Sequence, residues 1–152
     1  RMCIETDPSW KESNAEAGIE GMKVARSMAL ISYRHYRTYG ATQQDDAEKL
    51  EDFRSESYQR YQGEKLAARF NAFSYYALTK GMDAHNIGRS RGTVLEALGR
   101  ITAKTLVIGI ETDLLYPVEE QAYIARLVKG AKLEIIDSVY GHDGFLLEFE
   151  KT

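Results

Sequence analysis

An aspartate and a histidine follow two strand-like segments in the last third of the chain. Asp113 comes after the apolar run 105–110, and His142 comes after the run 132–137. A carboxylate that orients an imidazole, and an imidazole that removes a proton from a nucleophile, are two of the three members of a catalytic triad. The sequence therefore predicts acid–base chemistry at this pair, with no obvious nucleophile beside it.

The spacing of the pair suits two neighbouring parallel strands. Asp113 and His142 are 29 positions apart, which leaves room for one helix and one strand. If the strands are adjacent, their carboxyl ends lie side by side, and the loops bring the carboxylate to one imidazole nitrogen. Taken singly, Asp113 also suits a helix cap before Pro117, and His142 suits a turn after Gly141. Their matched positions at two strand ends favour the catalytic interpretation.

A Gly-x-Ser-x-Gly pattern occurs at residues 88–92, and its Ser90 precedes Asp113 and His142 in the chain. A nucleophilic serine in this motif needs a buried strand that runs directly into it and a helix that leaves from it. Residues 82–86 are instead the polar end of a helix, and two arginines flank the serine. We therefore expect Ser90 to lie on a solvated loop and not to be the nucleophile.

The cysteine and histidine content does not predict a metal site. Cys3 is the only cysteine, which excludes an intramolecular disulfide and a thiolate metal cluster and suits a reducing cytoplasm. Asp83 and His85 lack a third ligand, and the end of a helix accounts for both residues. We expect no bound metal.

The composition is that of a globular domain. The chain has 152 residues, of which 43% are hydrophobic and 28% charged, and its net charge is −3. Such a chain gives no electrostatic reason to bind nucleic acid or an anionic membrane. No apolar run approaches the ~18 residues of a membrane span, and the start lacks the apolar stretch of a signal peptide. Because the chain does not begin with Met, we expect a fragment.

Capping residues and hydrophobic periodicity predict helices over the first two thirds of the chain. A short helix starts at Asp7-Pro8, and a long one runs over residues 17–39 and stops at Gly40. The other predicted helices cover about residues 55–69, 72–85 and 93–98.

Arg26 and Tyr33 are two helical turns apart on the long helix, so their side chains project from nearly the same line. If Arg26 is buried, its guanidinium needs a carboxylate or phosphate partner. The same spacing also suits a structural ion pair or a surface arginine.

The pattern changes at about residue 100. Residues 105–110 form a continuous β-branched and leucine run, typical of a strand buried on both faces of a parallel sheet. A helix over 117–128, a strand over 132–137 and a helix from about 144 complete a βαβα unit. Two parallel strands do not make a stable sheet by themselves. We therefore expect the preceding part of the sheet to be missing and the first strand to have an unpaired, apolar edge.

Several segments resemble the C-terminal portion of homoserine O-acetyltransferases, members of the α/β-hydrolase superfamily. They cover nearly the whole chain and are specific in combination. The matching segments are Asp7-Pro8-Ser9-Trp10, the helix with Arg26 and Tyr33, residues 57–65, Arg69-Phe70 with Ser74-Tyr75, and residues 88–92, 104–117 and 141–146.

The resemblance implies an α/β fold in which residues 1–100 form a helical lid and dimerisation segment. Residues 101–152 would be the last two βα units of the α/β-hydrolase core, with an incomplete parallel sheet. The half of the protein that holds the serine nucleophile and the oxyanion hole would precede residue 1.

The resemblance also implies roles for five residues. Asp113 and His142 would be the acid and base of a Ser-Asp-His triad. Arg26 would face the carboxylate of an amino acid substrate, Asp143 its ammonium or hydroxyl group, and Tyr33 would be a hydrogen-bonding wall. Asp143 also suits the N-cap of the last helix.

The implied activity is transfer of an acetyl group from acetyl-CoA to the hydroxyl of L-homoserine, in methionine biosynthesis. The serine would take the acyl group and pass it to homoserine, with acetyl-CoA as co-substrate and no cofactor. We expect a cytoplasmic homodimer formed through the helical segment, and a fragment that is inactive alone. The alternatives are a serine or homoserine O-succinyltransferase of the same fold, and a non-enzymatic helical interaction module.

Overall fold

Eight α-helices, two 3₁₀ helices and two β-strands lie within residues 1–12 and 14–151, which the computed structural model describes. The α-helices are α1 (Met2–Glu5), α2 (Ile19–Tyr33), α3 (Tyr36–Gln43), α4 (Arg54–Ala67), α5 (Ala72–Asp83), α6 (Val94–Gly99), α7 (Val118–Leu127) and α8 (Gly144–Leu147). The 3₁₀ helices are Pro8–Lys11 and Gly141–Asp143, and the strands are β1 (Leu106–Ile110) and β2 (Lys132–Ile136). None of these helices is long and apolar enough to cross a lipid bilayer.

The predicted change from helices to a βαβα unit is confirmed. The strands β1 and β2 are parallel neighbours, with Leu106 paired to Lys132 and Ile110 to Ile136. Helix α7 connects the strands and packs on both, which is the usual crossover of a parallel pair. Ile110 and Ile136, the last residues of the two strands, and Val128, the residue after α7, are at most 7% exposed.

The outer edge of β1 is unpaired, as is that of β2, within the described residues. Within the described residues β1 pairs only with β2, as the sequence predicted for an incomplete sheet. Apolar side chains of both strands stay exposed: Leu106 is 54%, Ile135 43% and Leu133 36% exposed. An unpaired edge beside exposed apolar side chains is a surface on which a further strand can pair.

The chain divides into two compact units. The helical unit consists of Arg1–Ile31 and Gly40–His85, and the strand unit consists of residues 32–39 with the chain from Asn86 onward. The predicted boundary at residue 100 separates types of element, whereas these units group residues that pack together. The lid and dimerisation role of the helical segment stays a prediction.

The core of the helical unit joins four helices. Its buried residues are Ile4 of α1, Met22 of α2, Leu66 of α4 and Ala72 of α5. Trp10, from the first 3₁₀ helix, packs against this cluster and stacks on Phe73, with ring centroids 4.8 Å apart. Burial of these apolar side chains is the main force that holds the short helices in place.

Asp7 ties the start of the chain to α2. Its Oδ1 accepts hydrogen bonds from the backbone N and the Oγ of Ser9, at 2.9 and 2.7 Å, and its Oδ2 accepts one from the Gly21 amide at 2.8 Å. These donors, the Gly21 amide first, stabilise the carboxylate and lower the pKa of Asp7. The predicted helix start at Asp7-Pro8 is confirmed, as a 3₁₀ helix.

The prediction of one long helix over residues 17–39, ending at Gly40, is wrong. The structure has two helices, α2 and α3, separated at residues 34–35, and α3 continues through Gly40. The separation lies where another loop of the strand unit approaches the backbone: a Cβ at Gly141 would come within 2.7 Å of the His35 nitrogen. Tertiary packing therefore overrides the local helical pattern here.

Replacing Gly21 with Ala is expected to destabilise the protein. A Cβ there would lie 2.2 Å from the Cys3 carbonyl oxygen and 2.7 Å from Ile4 Cα, so α1 or α2 has to shift. We expect the free energy of unfolding, measured by urea denaturation, to fall by about 1–3 kcal/mol, as for an overpacked core.

The control for this substitution is Gly81→Ala in α5, because nothing lies within 4 Å of a Cβ at that position. Ala there favours the helix, and we expect a gain of about 0.5–1 kcal/mol. Equal effects of the two substitutions would contradict the close packing of α1 on α2.

Candidate active site

The parallel register brings the ends of β1 and β2 to the same level. Their last residues, Ile110 and Ile136, are paired, and the Glu111 amide donates to the Ile136 carbonyl oxygen at 3.0 Å. Asp113 lies in the turn after β1, where its amide donates to the Ile110 carbonyl oxygen at 3.1 Å. His142 lies in the 3₁₀ helix that follows β2. Both side chains therefore lie at one edge of the sheet, as the sequence predicts.

Asp113 and His142 are in direct contact. Asp113 Oδ2 lies 2.8 Å from His142 Nδ1. The other carboxylate oxygen, Oδ1, accepts hydrogen bonds from the backbone amides of Leu115 and Tyr116, at 2.8 and 2.9 Å. The side chain of Asp113 is 7% exposed and that of His142 is 21% exposed. The contact predicted for the pair is present, and its catalytic role stays a prediction.

The contact with Asp113 selects one tautomer of His142. Beside an ionised carboxylate, Nδ1 of a neutral imidazole carries the proton and donates it to the carboxylate, which leaves the lone pair on Nε2. When Nε2 takes a proton, the carboxylate stabilises the resulting imidazolium. The pair can therefore act as a general base and then, once protonated, as a general acid.

Thr112 links the two loops that hold the pair. Its Oγ1 donates to the Ser138 carbonyl oxygen at 2.6 Å and accepts from the Gly141 amide at 3.0 Å. Ser138 is buried, and its Oγ accepts from the Tyr140 amide at 3.2 Å. Sequence reasoning missed Thr112. The sequence feature that points to this residue is its position directly before Asp113.

Three aromatic rings contact the imidazole of His142. The ring centroids of Tyr33, Tyr116 and Phe145 lie 5.5, 5.2 and 5.3 Å from the imidazole centroid. Tyr33, expected to be a wall of the substrate site, is thus next to His142, while Tyr116 and Phe145 were not predicted. A cavity of about 290 Å³ adjoins the pair. It is lined by Ile108, Gly109, Ile110, Asp113, Tyr116, Gln121, His142 and Phe145.

Asp143, the residue after the histidine, forms an ion pair with Arg34. Arg34 Nε lies 2.6 Å from Asp143 Oδ2, and the two side chains are 26% and 18% exposed. The side chain of Asp143 makes no capping hydrogen bond to α8, which was the structural alternative for this residue. Its contact with a substrate ammonium or hydroxyl group stays a prediction. Sequence reasoning missed Arg34.

Arg26 lies in the helical unit, on α2 as predicted. It borders a small cavity of about 110 Å³ together with Gln62, Lys65, Leu66 and Arg69. Several cations therefore surround this cavity, which suits an anionic group. The contact of Arg26 with a substrate carboxylate stays a prediction.

Ser90 is not in a nucleophile elbow. It lies in an exposed turn between α5 and α6, and within the described residues no strand leads into it. Its backbone φ is +61°, a left-handed turn conformation. This local structure agrees with the expectation that Ser90 is a loop residue.

Comparison with curated proteins identifies relatives over the whole chain, although no protein-family model matches it. The homoserine O-acetyltransferase of Cyclobacterium marinum is 48% identical over 151 residues, which are 99% of this chain and 43% of that protein. Those of Chlorobaculum parvum and Mycolicibacterium smegmatis are each 39% identical, over 97% of this chain and 42% of either protein. The chain spans less than half the length of these relatives. The predicted resemblance to homoserine O-acetyltransferases is confirmed.

Solved structures share the fold. The homoserine O-acetyltransferase of Bacillus anthracis matches with a TM-score of 0.89 at 22% identity, over 98% of this chain and 43% of that one. The Staphylococcus aureus enzyme of that name matches with 0.70 at 28% identity, over 98% and 43%. Esterase E22 matches with 0.83 at 17% identity, over 99% and 45%. The predicted class, part of an α/β-hydrolase fold with an incomplete parallel sheet, is confirmed.

Gly141→Ala is expected to disturb the loop of His142. Gly141 has φ +67°, and a Cβ would lie 2.7 Å from the His35 nitrogen and 3.0 Å from the Tyr33 carbonyl oxygen. The backbone strain costs about 1–2 kcal/mol, and the overlap adds about 1–3 kcal/mol. Thermal unfolding of the variant should show the combined loss.

The matched control is Gly130→Ala, because Gly130 has φ +75° but nothing within 4 Å of a Cβ. This variant contains the backbone strain without the overlap. If Gly141→Ala and Gly130→Ala lower the unfolding temperature equally, the loop of His142 does not pack on the backbone of residues 33–35.

Proposed function

We propose that this chain is part of a homoserine O-acetyltransferase and supplies the acid and the base of its catalytic triad. The observation that carries the proposal is the 2.8 Å contact between Asp113 Oδ2 and His142 Nδ1, with the other carboxylate oxygen held by two backbone amides. The 48% identity to the Cyclobacterium marinum enzyme over 99% of the chain supports the choice of reaction.

In the first half of the proposed reaction, His142 Nε2 removes the proton of a serine hydroxyl while the serine oxygen attacks the thioester carbonyl of acetyl-CoA. The bond between the carbonyl carbon and the sulfur breaks, and the departing CoA thiolate takes the proton from the imidazolium. Asp113 stabilises the imidazolium between these two transfers. The product of this half-reaction is an acetyl-serine ester.

In the second half, the hydroxyl of homoserine replaces the serine as the nucleophile. His142 removes its proton, the homoserine oxygen attacks the ester carbonyl, and the serine oxygen leaves and takes the proton back. Acetyl-CoA is a co-substrate in this cycle, and no cofactor takes part. The products of the full cycle are O-acetylhomoserine and CoA, and the free enzyme is regenerated. We propose that this reaction is a step of methionine biosynthesis and takes place in the cytoplasm.

The proposed substrate contacts involve Asp143, which pairs with Arg34, and Tyr33, whose ring lies beside His142. Asp143, one residue after His142, would receive the ammonium or hydroxyl group of homoserine, and Tyr33 would be a wall of its site. Arg26 would bind the carboxylate. The ring centroids of Tyr33 and His142 are 5.5 Å apart, which supports the proposed position of Tyr33 at the substrate site.

The serine and the oxyanion hole are proposed to come from residues outside these 152. The unpaired edge of β1 and the exposed apolar side chains Leu106 and Ile135 support a larger sheet, with a further strand beside β1. The relatives, of which this chain covers 42–43%, are long enough to supply that strand. The 152 residues alone are expected to be inactive.

A homodimer is proposed to form through the outer face of α2. Val24, Met28 and Ile31 follow one another at helical spacing and are 54%, 59% and 70% exposed. An apolar stripe of this kind is costly in water and suits an interface with a second copy of the chain.

Replacing His142 with Ala or Asp113 with Asn in the complete enzyme is expected to abolish acyl transfer. The first variant lacks the base, and the second favours the wrong tautomer, so each should lower kcat by about 10⁴-fold. The control is Asp137→Asn: Asp137 is an exposed carboxylate at the end of β2, and its loss should leave kcat unchanged. Normal turnover by His142→Ala would overturn the proposal.

The acyl donor and the acceptor are tested in the same assay. Because an esterase shares this fold, the products are separated, and O-acetylhomoserine is measured against free acetate. We expect the acetyl ester of homoserine to be the main product with acetyl-CoA, and succinyl-CoA to be a poor donor. Equal or faster use of succinyl-CoA would favour the succinyltransferase alternative.

Ile31→Glu is expected to convert the dimer to a monomer, because a charge within an apolar interface has to be desolvated. Leu50→Glu is the control, since Leu50 is 85% exposed and lies outside the stripe. Sedimentation velocity measures both variants beside the unmodified protein. A dimer that survives Ile31→Glu, or an unmodified protein that is monomeric at high concentration, would contradict this interface.

A further inference from the structure

Arg34 lies at the interruption between α2 and α3, where residues 33–38 contact the loop that contains His142. Here we call residues 33–38 the clamp segment. Its Thr38 Oγ1 donates a hydrogen bond to the Val139 carbonyl oxygen. Its backbone lies so close to Gly141 that a Cβ there would overlap the His35 nitrogen at 2.7 Å. The clamp segment therefore touches this loop before His142.

The clamp segment also touches the loop at the histidine and after it. The Tyr33 ring lies 5.5 Å from the imidazole of His142, between centroids. Arg34 Nε lies 2.6 Å from Asp143 Oδ2. Residues on both sides of His142 are thus in contact with one short segment of backbone. Of these contacts, the one between Arg34 and Asp143 joins two full charges.

The charges explain why an arginine is needed at this position. Asp143 is only 18% exposed, and it follows a histidine that already contacts the carboxylate of Asp113. A second carboxylate with little access to water is costly unless a cation compensates it. Arg34 supplies this cation, because its Nε lies 2.6 Å from Asp143 Oδ2. The guanidinium neutralises Asp143 and fixes its position.

We infer that Arg34 is a positioning residue that acts through Asp143 on the amino acid acceptor. The inference rests on the proposed function, in which Asp143 receives the ammonium or hydroxyl group of homoserine. Arg34 holds the carboxylate in place, with its Oδ2 engaged, so that the acceptor meets a fixed group. Acylation by acetyl-CoA does not use Asp143, so Arg34 serves the second half-reaction and not the first.

A two-step transfer separates these half-reactions kinetically. In such a mechanism kcat/KM for acetyl-CoA reports acylation of the serine, and kcat/KM for homoserine reports transfer to the acceptor. A residue that merely supports the loop of His142 would affect both constants, since the base takes part in both steps. A residue that positions Asp143 affects the homoserine constant selectively.

The test compares Arg34→Met with Arg37→Met in the complete enzyme. Arg37 is an exposed arginine three positions along that stacks on Tyr36, so its loss controls for removal of a charge from the same segment. We expect Arg34→Met to lower kcat/KM for homoserine about tenfold, as for loss of one partner of a charge pair. It should change kcat/KM for acetyl-CoA by less than about twofold, and Arg37→Met should change neither constant.

Two further variants keep the inference testable if Arg34→Met folds poorly. Arg34→Lys retains the charge and should recover most of the homoserine constant. Asp143→Asn should lower that constant in the unmodified enzyme and in the Arg34→Lys background, but add little in the Arg34→Met background, because Arg34 acts through Asp143. Fully additive effects would overturn the assignment.

Different results would overturn the role of Arg34 and the proposed function. An equal fall in both constants, or an Arg34→Met variant that behaves like Arg37→Met, would overturn the role of Arg34 while transfer to homoserine stands. An unmodified enzyme that makes no O-acetylhomoserine would overturn the proposed function, and the role of Arg34 with it.

Discussion

A buried carboxylate is the constraint on which the candidate site depends. Asp113 is 7% exposed, and a charge with so little water is tolerated only when its oxygens are hydrogen-bonded. Two backbone amides bind one oxygen, and His142 binds the other. The amides belong to the same turn as Asp113, whereas the imidazole comes from a loop that follows the other strand. The pairing of β1 with β2 therefore decides whether the carboxylate meets its histidine.

Contacts with the backbone help to hold the loop of His142. Thr112 accepts a hydrogen bond from the Gly141 amide, and Gly141 has a positive φ in a place where the backbone of residues 33–35 leaves no room for a Cβ. Arg34 pairs with the residue on the other side of His142. Restraint on both sides limits the positions that the imidazole can take.

The fold alone does not distinguish between reactions. The chain matches a homoserine O-acetyltransferase and an esterase with TM-scores of 0.89 and 0.83, and an acid–base pair can serve either reaction. Selection of one acceptor over another has to come from groups around the pair. Tyr33, Tyr116 and Phe145 are the rings that the structure brings next to His142. Arg34 pairs with Asp143, the residue that follows the histidine.

The contact between Asp113 and His142, and the change from helices to a βαβα unit, could be predicted from the sequence alone. Both follow from local patterns, because apolar runs mark the strands and the carboxyl ends of adjacent parallel strands have to meet. Only the tertiary structure decided that the long helix is interrupted at residues 34–35, that Arg34 meets Asp143 and that Thr112 bridges two loops. These features depend on contacts between residues far apart in the chain, and no local pattern of hydrophobicity or capping records such contacts.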